Sequence, residues 1–147
     1  MNDIHNIKSY DIAGFGLPRK VDSVVVVAHM RPLQAVEKKI RLLCGEDIKL
    51  EVSFKSSYRS VKWEESKGRS GFSEHTYKKL GATDVTCANF SENKDLLLKC
   101  LIEETDYTRI AMYNSFIHVD YKNERSDAYV YDATSGVWKR KYSIYRE

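Results

Sequence analysis

The chain is poor in cysteine and histidine and has no long apolar run. Its three cysteines, Cys44, Cys87 and Cys100, make an odd count with no CxxC pair. That argues against a disulfide framework and against a cysteine-based zinc knuckle, so the three read as reduced, mostly buried thiols. No stretch approaches the ~20 apolar residues of a membrane-spanning helix. The opening MNDIHNIKSYDIAGFG has no apolar segment of signal-peptide type, so synthesis in a cytoplasm is expected. Internal repeats and low-complexity segments are absent. The net charge is only +3, far from the basic excess of a dedicated nucleic-acid binder. RNP-like, helix-turn-helix and clustered basic motifs are missing too, so no nucleic-acid partner is expected.

What is present fits one ordinary globular domain. The chain has 147 residues, 42% of them hydrophobic and 31% charged, enough for a core without staples. Residues 1–28 read as an irregular lead-in, although SVVVVAHM (23–30), which begins inside it, is a β-branched run that predicts a buried strand or extended segment. After Pro32, Leu33, Val36, Ile40 and Leu43 recur at helical spacing and Gly45 closes the pattern, which predicts a helix over 33–44. IKLEVSF (48–54) alternates strictly and predicts a half-buried strand. Residues 55–79 are polar and aromatic without a period, a long loop with one helical turn, and long irregular segments of compact domains are often functional. GATDVTC (81–87) is extended. SENKDLLLKCLIEE (91–104) reads as a helix with Ser91 as N-cap. RIAMY, SFIHVDY and DAYVYD read as strands, and ATSGVWKRKYSIY as a turn at Gly136 with a closing strand. The expected class is α+β, an antiparallel sheet with flanking helices.

Three polar groupings stand at predicted strand ends or faces. In SFIHVDY, alternation sends Phe116, His118 and Asp120 to one face and Ile117, Val119 and Tyr121 to the core. In SEHTYKKLGATD, His75 and Asp84 flank a Gly-Ala bend. In SSYRS, Arg59 sits where a strand gives way to the long loop, a place from which it can clamp a carboxylate or polarise a carbonyl. Taken singly, each reads at least as well as surface polarity: a polar strand pair, a loop histidine with a strand-edge aspartate, a surface arginine.

In the order SxYRS, SxH…GAxD, HxD, they resemble the zinc D-alanyl-D-alanine carboxypeptidase and L-alanyl-D-glutamate endopeptidase family, in its HxD-ending subgroup. That family shares its fold with the hedgehog signalling domain and the vancomycin-resistance dipeptidases. The resemblance spans residues 30–122 and includes MRPLQAVEKKI as the early helix; residues 123–147 then close the fold. It implies Zn2+ as cofactor, with His75, Asp84 and His118 as ligands. Arg59 would bind the substrate's carbonyl or carboxylate and stabilise the developing oxyanion, with Tyr58 and Ser73 as further substrate-side residues. His75 and Asp84 are nine residues apart, two more than in the family pattern. Ser115 stands where many members carry a glutamate three residues before the last histidine. Asp120 shares the face of His118 and is the candidate general base, or else a carboxylate that orients an imidazole.

The implied activity is hydrolysis of peptidoglycan stem peptides at a bond involving a D-amino acid. Without a signal peptide, the context it implies is phage-type: wall lysis, or a virion-associated enzyme with other virion proteins as partners. The rival reading is a module that keeps the fold, and even the zinc, without catalysis. Among other residues, His29 reads as structural or at a strand end, and Trp63 and Trp138 as packing. Glu64 and Glu65 read as solvated, with one of them as a reserve base near the metal.

Overall fold

The computed structural model describes residues 24–44, 48–52, 61–69, 73–77 and 79–146. The lead-in before residue 24, Gly45, Phe54, Tyr58 and Arg59 lie outside the described residues.

The valine run is helical, not extended. Val25–Met30 forms a π-helical turn that runs directly into α1, Arg31–Cys44. The cause lies in Pro32 and in tertiary contacts. Proline has no N–H to give the carbonyl four residues back, and a π turn is one way a helix absorbs that loss. Here the orphaned acceptor is the Ala28 carbonyl, and the Tyr121 hydroxyl donates to it from across the core. Ala28 and His29 are both buried while Val27 is exposed. β-Branched preference is weak beside such contacts.

α1 buries Leu33, Val36 and Ile40 as its spacing predicts, but Leu43, in the last turn, is 48% exposed. Glu37 is buried with them and accepts the Leu50 backbone N–H at 2.8 Å. That bond ties the helix to β1, Leu50–Val52, where Leu50 and Val52 face inward. The long polar loop contains α2, Val61–Ser66, and a 3₁₀ turn, Glu74–Thr76. β2 is Ala82–Cys87 and α3 is Phe90–Glu104. Ser91 is not the N-cap of α3. That place is taken by Asn89 in a left-handed conformation (φ 54°), one residue before Phe90, which the core buries. Burying Phe90 pulls the helix start ahead of the serine. The remaining strands are β3, Arg109–Met112; β4, Ile117–Asp120; β5, Tyr129–Asp132; and β6, Lys139–Ser143.

The six strands lie in the order β1-β2-β4-β3-β5-β6. All neighbours are antiparallel except β3 and β5, which are parallel. The expected antiparallel sheet is thus interrupted once. β4 ends beside the start of β3, and the segment after it crosses that end through a 3₁₀ turn, Arg125–Asp127, before β5 begins. Thr108 takes bonds from both sides of the crossing: its N–H donates to the Asp120 carbonyl, and its own carbonyl accepts the Tyr129 N–H.

α1 and α3 pack on one face of the sheet with Leu97, Leu101, Tyr107, Ile110, Ile117 and Val119 in the shared core. The opposite face carries a smaller cluster, Ala111, Tyr131 and Ala133 with Tyr113, Tyr129 and Trp138 against it. The cysteines are free, and burial pushes the Cys87 and Cys100 thiols up to about 11. Among the described residues, no helix is long and apolar enough to cross a membrane.

Candidate metal centre

Two adjacent strands place Asp84 and His118. In the β2–β4 ladder Asp84 pairs directly with His118. Alternation then puts both on the face away from α1 and α3, as Ile117 and Val119 enter the core. His118 Nδ1 lies 3.0 Å from Asp84 Oδ1.

His75 arrives from the loop and is held by local chemistry. Ser73 caps the 3₁₀ turn: its Oγ accepts the His75 N–H at 3.2 Å, and its carbonyl accepts the Thr76 hydroxyl at 2.6 Å. Tyr77 ends the turn in a left-handed conformation, φ 56°. The chain then reaches Gly81, φ +80°, immediately before β2. A Cβ on Gly81 would sit 2.2 Å from the Tyr77 ring, so only glycine lets the tyrosine pack there. His75 Nε2 ends 3.3 Å from the same Asp84 Oδ1 that faces His118, and the two imidazole rings meet edge-on at 5.1 Å.

Among the described residues, His75, Asp84 and His118 form a group of ligand atoms all within 4.8 Å of one another. A tetrahedral zinc with bonds of about 2.1 Å sets ligand atoms roughly 3.4 Å apart. The 3.0 and 3.3 Å separations of the two imidazoles from Asp84 are near that edge length, and all three ligand atoms lie within 4.8 Å, so the donor set suits the ion in chemistry and lies close to it in spacing. Two imidazoles and one carboxylate leave a fourth position for water.

Asp120 backs the site rather than lining it. It is fully buried. Its Oδ2 accepts His118 Nε2 at 2.7 Å and Arg109 Nη2 at 2.6 Å. Its Oδ1 accepts Arg109 Nε at 2.9 Å and the Lys122 N–H at 3.0 Å. Arg109 is the residue that sequence reasoning missed. The signal was available in RIAMYNSFIHVD: a hairpin turning at Tyr113–Phe116 sets Arg109 opposite Asp120. Trp138 lies over the Arg109 guanidinium, 4.5 Å from ring centroid to Cζ, and edge-on to His118 at 5.1 Å. Its indole N–H donates to the Tyr113 hydroxyl at 2.7 Å.

The electrostatics follow from these contacts. Burial opposes charge on His118, but its bonds to Asp120 and Asp84 raise it to about 9. Burial likewise opposes ionisation of Asp84, and the His75 and His118 imidazoles overturn that, holding its carboxyl well below the usual range. Asp120 is held low in the same way by His118 and Arg109.

His29 is buried beside the site in the π turn, not at a strand end. Its Nε2 donates to the Leu80 carbonyl at 2.8 Å, and Nδ1 accepts from the Tyr107 hydroxyl at 2.8 Å and faces Thr83 Oγ1 at 3.1 Å. The ring has no position left for a ligand, and its role is to tie the first helix to the start of β2. Glu64 is not solvated. It is 1% exposed, with its carboxylate accepting Arg69 Nη1 at 2.9 Å, whereas Glu65 is exposed. Arg59 and Tyr58 fall outside the described residues.

No curated protein and no solved structure matches the chain. A family model described as Peptidase M15 matches residues 14–120, which take in His75, Asp84, His118 and Asp120. That match covers most of the chain, and the chain therefore belongs to the Peptidase M15 family.

Proposed function

We propose that this chain is a zinc-dependent peptidase that hydrolyses peptidoglycan stem peptides at a bond involving a D-amino acid. The cut would be of the D-alanyl-D-alanine carboxypeptidase or the L-alanyl-D-glutamate endopeptidase kind. The observation that carries this reading is the convergence of His75, Asp84 and His118 within 4.8 Å, inside the segment that matches a peptidase family.

In this reading His75 Nε2, Asp84 Oδ1 and His118 Nδ1 hold the ion. Bound zinc supplies a water of lowered pKa and polarises the scissile carbonyl. Asp120 acts as a positioning group and not as the base, because four donors already occupy its two oxygens. Ser73 spends its oxygen on the His75 N–H and keeps its hydroxyl proton for a substrate carbonyl. Arg59, with Tyr58 beside it, is assigned the substrate's carboxylate or developing oxyanion. The small size and mildly cationic surface suit an anionic wall polymer, reached in a phage-type lysis or virion setting.

One observation favours a second reading, a zinc-keeping module without catalysis. Ser115 occupies the place of the missing glutamate, and Asp120 is fully engaged. Purified peptidoglycan incubated with zinc-loaded protein separates the two. Cleaved or shortened stem peptides, or freed D-alanine, seen by mass spectrometry and lost with chelator or in His118→Ala, support the peptidase. A zinc-loaded protein that releases no fragment leaves the module.

A further inference from the structure

Buried Asp120 and the half-buried Arg109 and Trp138 form a unit behind His118 that the peptidase reading alone does not explain. Asp120 stands opposite Arg109 on neighbouring strands, and the arginine meets it side-on with Nε and Nη2. This forked contact fixes the carboxylate plane, since Nη2 donates to Oδ2 while Nε reaches both oxygens, Oδ1 at 2.9 Å and Oδ2 at 3.1 Å. A carboxylate held by one point charge could still rotate and carry the imidazole with it. The Lys122 N–H takes a further position on Oδ1, so Oδ2 is left facing His118 Nε2. Trp138 then covers the guanidinium and borders His118 itself. Its ring shields part of the Arg109–Asp120 pair, whose arginine stays 19% exposed, and a pair partly shielded from water interacts more strongly than a fully exposed one.

We infer that Arg109 is a positioning residue of the metal centre: acting through Asp120, and covered by Trp138, it locks the His118 ring with Nε2 turned inward and Nδ1 presented to the metal. The inference rests on the metal reading above and adds a residue to it. Carboxylates behind ligand histidines set tautomer and ring orientation, and their loss typically weakens metal binding about 10- to 100-fold. Arg109 should show that effect only while Asp120 is there to transmit it.

The test is zinc affinity by chelator competition at fixed pH, on the full chain, for wild type, Arg109→Met, Arg109→Lys, Asp120→Asn and the double variant Arg109→Met/Asp120→Asn. Arg109→Met is expected to bind zinc about 10- to 100-fold more weakly. Arg109→Lys should fall between, because it keeps the charge and loses the fork. The double variant should be no weaker than Asp120→Asn alone, the non-additivity of groups that act in series. The cobalt(II)-loaded Arg109→Met protein should also show altered visible bands at saturation, which a purely structural role would leave unmoved. If Arg109→Met does not fold, Arg109→Lys carries the comparison. Wild-type affinity in the Arg109 variants, or losses that simply multiply in the double variant, would overturn the inference and leave the metal centre standing. A wild-type chain that binds no zinc would overturn both.

Discussion

His118 and Asp84 occupy directly opposed positions on β4 and β2, and Nδ1 of one stands 3.0 Å from Oδ1 of the other. His75 reaches the same oxygen from the loop. The carboxylate is therefore the shared vertex of the site, the one anionic group between two imidazoles. Asp84→Asn removes that charge while keeping shape and hydrogen-bonding capacity. The expected result is loss of zinc from about one per chain to background, by elemental mass spectrometry, with the same outcome for His118→Ala. Full occupancy in either variant would mean the ion is held elsewhere.

The same pair makes zinc uptake pH-dependent. In the metal-free chain His118 is raised from 6.5 to about 9, so it carries a proton at neutral pH. A group whose folded value is raised stabilises the fold fully below its unfolded value and loses that contribution as pH climbs through the folded one. The metal-free protein should therefore weaken between pH 6.5 and 9. Zinc needs Nδ1 without its proton, so each ion bound below about pH 9 expels about one proton. Affinity should rise about tenfold per pH unit between 7 and 8. Chelator competition at several pH values checks this, and an affinity flat across that interval would contradict the His118 assignment.

His29 gives the opposite dependence. Burial drives it down from 6.5 to about 4; the bond to the Leu80 carbonyl works the other way, and His75 adds to the lowering. A histidine kept neutral in the fold stabilises it above pH 6.5, and that contribution is lost as pH falls toward 4. The loss is on the order of 3 kcal/mol. Asp84 and Asp120 are held low by their partners, and their own contributions begin to fade only below about pH 5, where the unfolded carboxylates take up protons. His29→Gln keeps an N–H for Leu80 and an oxygen for Tyr107 but cannot titrate. Its urea midpoint should stay flat from pH 6.5 to about 5 while the wild-type midpoint drops.

How much of this was legible in the sequence depended on the range of the contacts involved. The period-two pattern of SFIHVDY is local, and it placed His118 and Asp120 on one face and Ile117 and Val119 on the other. The apolar spacing of α1 is local too. Residues 25–30 were not legible, because the partner that satisfies Ala28 beside Pro32 is Tyr121, 93 positions away. Nor was Trp138, whose place over Arg109 exists only because the chain crosses the end of β3 to bring β5 and β6 alongside. The burial of Glu64 hung on Arg69, in a stretch with no period to read. Arg109 is the middle case: counting across the β3–β4 hairpin places it opposite Asp120 once the turn is recognised.

Gly81 tests whether the loop geometry, and not only the ligand types, makes the site. It is the last residue before β2 and sits three positions ahead of Asp84. Its φ of +80° is strained for any side chain, and an added Cβ would meet the Tyr77 ring at 2.2 Å. Tyr77 cannot easily give way, since it is buried, ends the His75 turn in a left-handed conformation, and donates its hydroxyl to the Ala82 carbonyl at 3.3 Å. Gly81→Ala should therefore cost about 2–4 kcal/mol of stability, backbone strain and overpacking together. Displacing Tyr77 moves the turn that carries His75 and leaves the Asp84–His118 pair in its ladder. The variant should accordingly lose zinc affinity even at temperatures where it is fully folded. Tyr77→Ala in the Gly81→Ala background removes the clash but also the packing, so it should relieve the strain without restoring the affinity. Wild-type zinc binding by folded Gly81→Ala would show that His75 is positioned independently of the Tyr77–Gly81 contact.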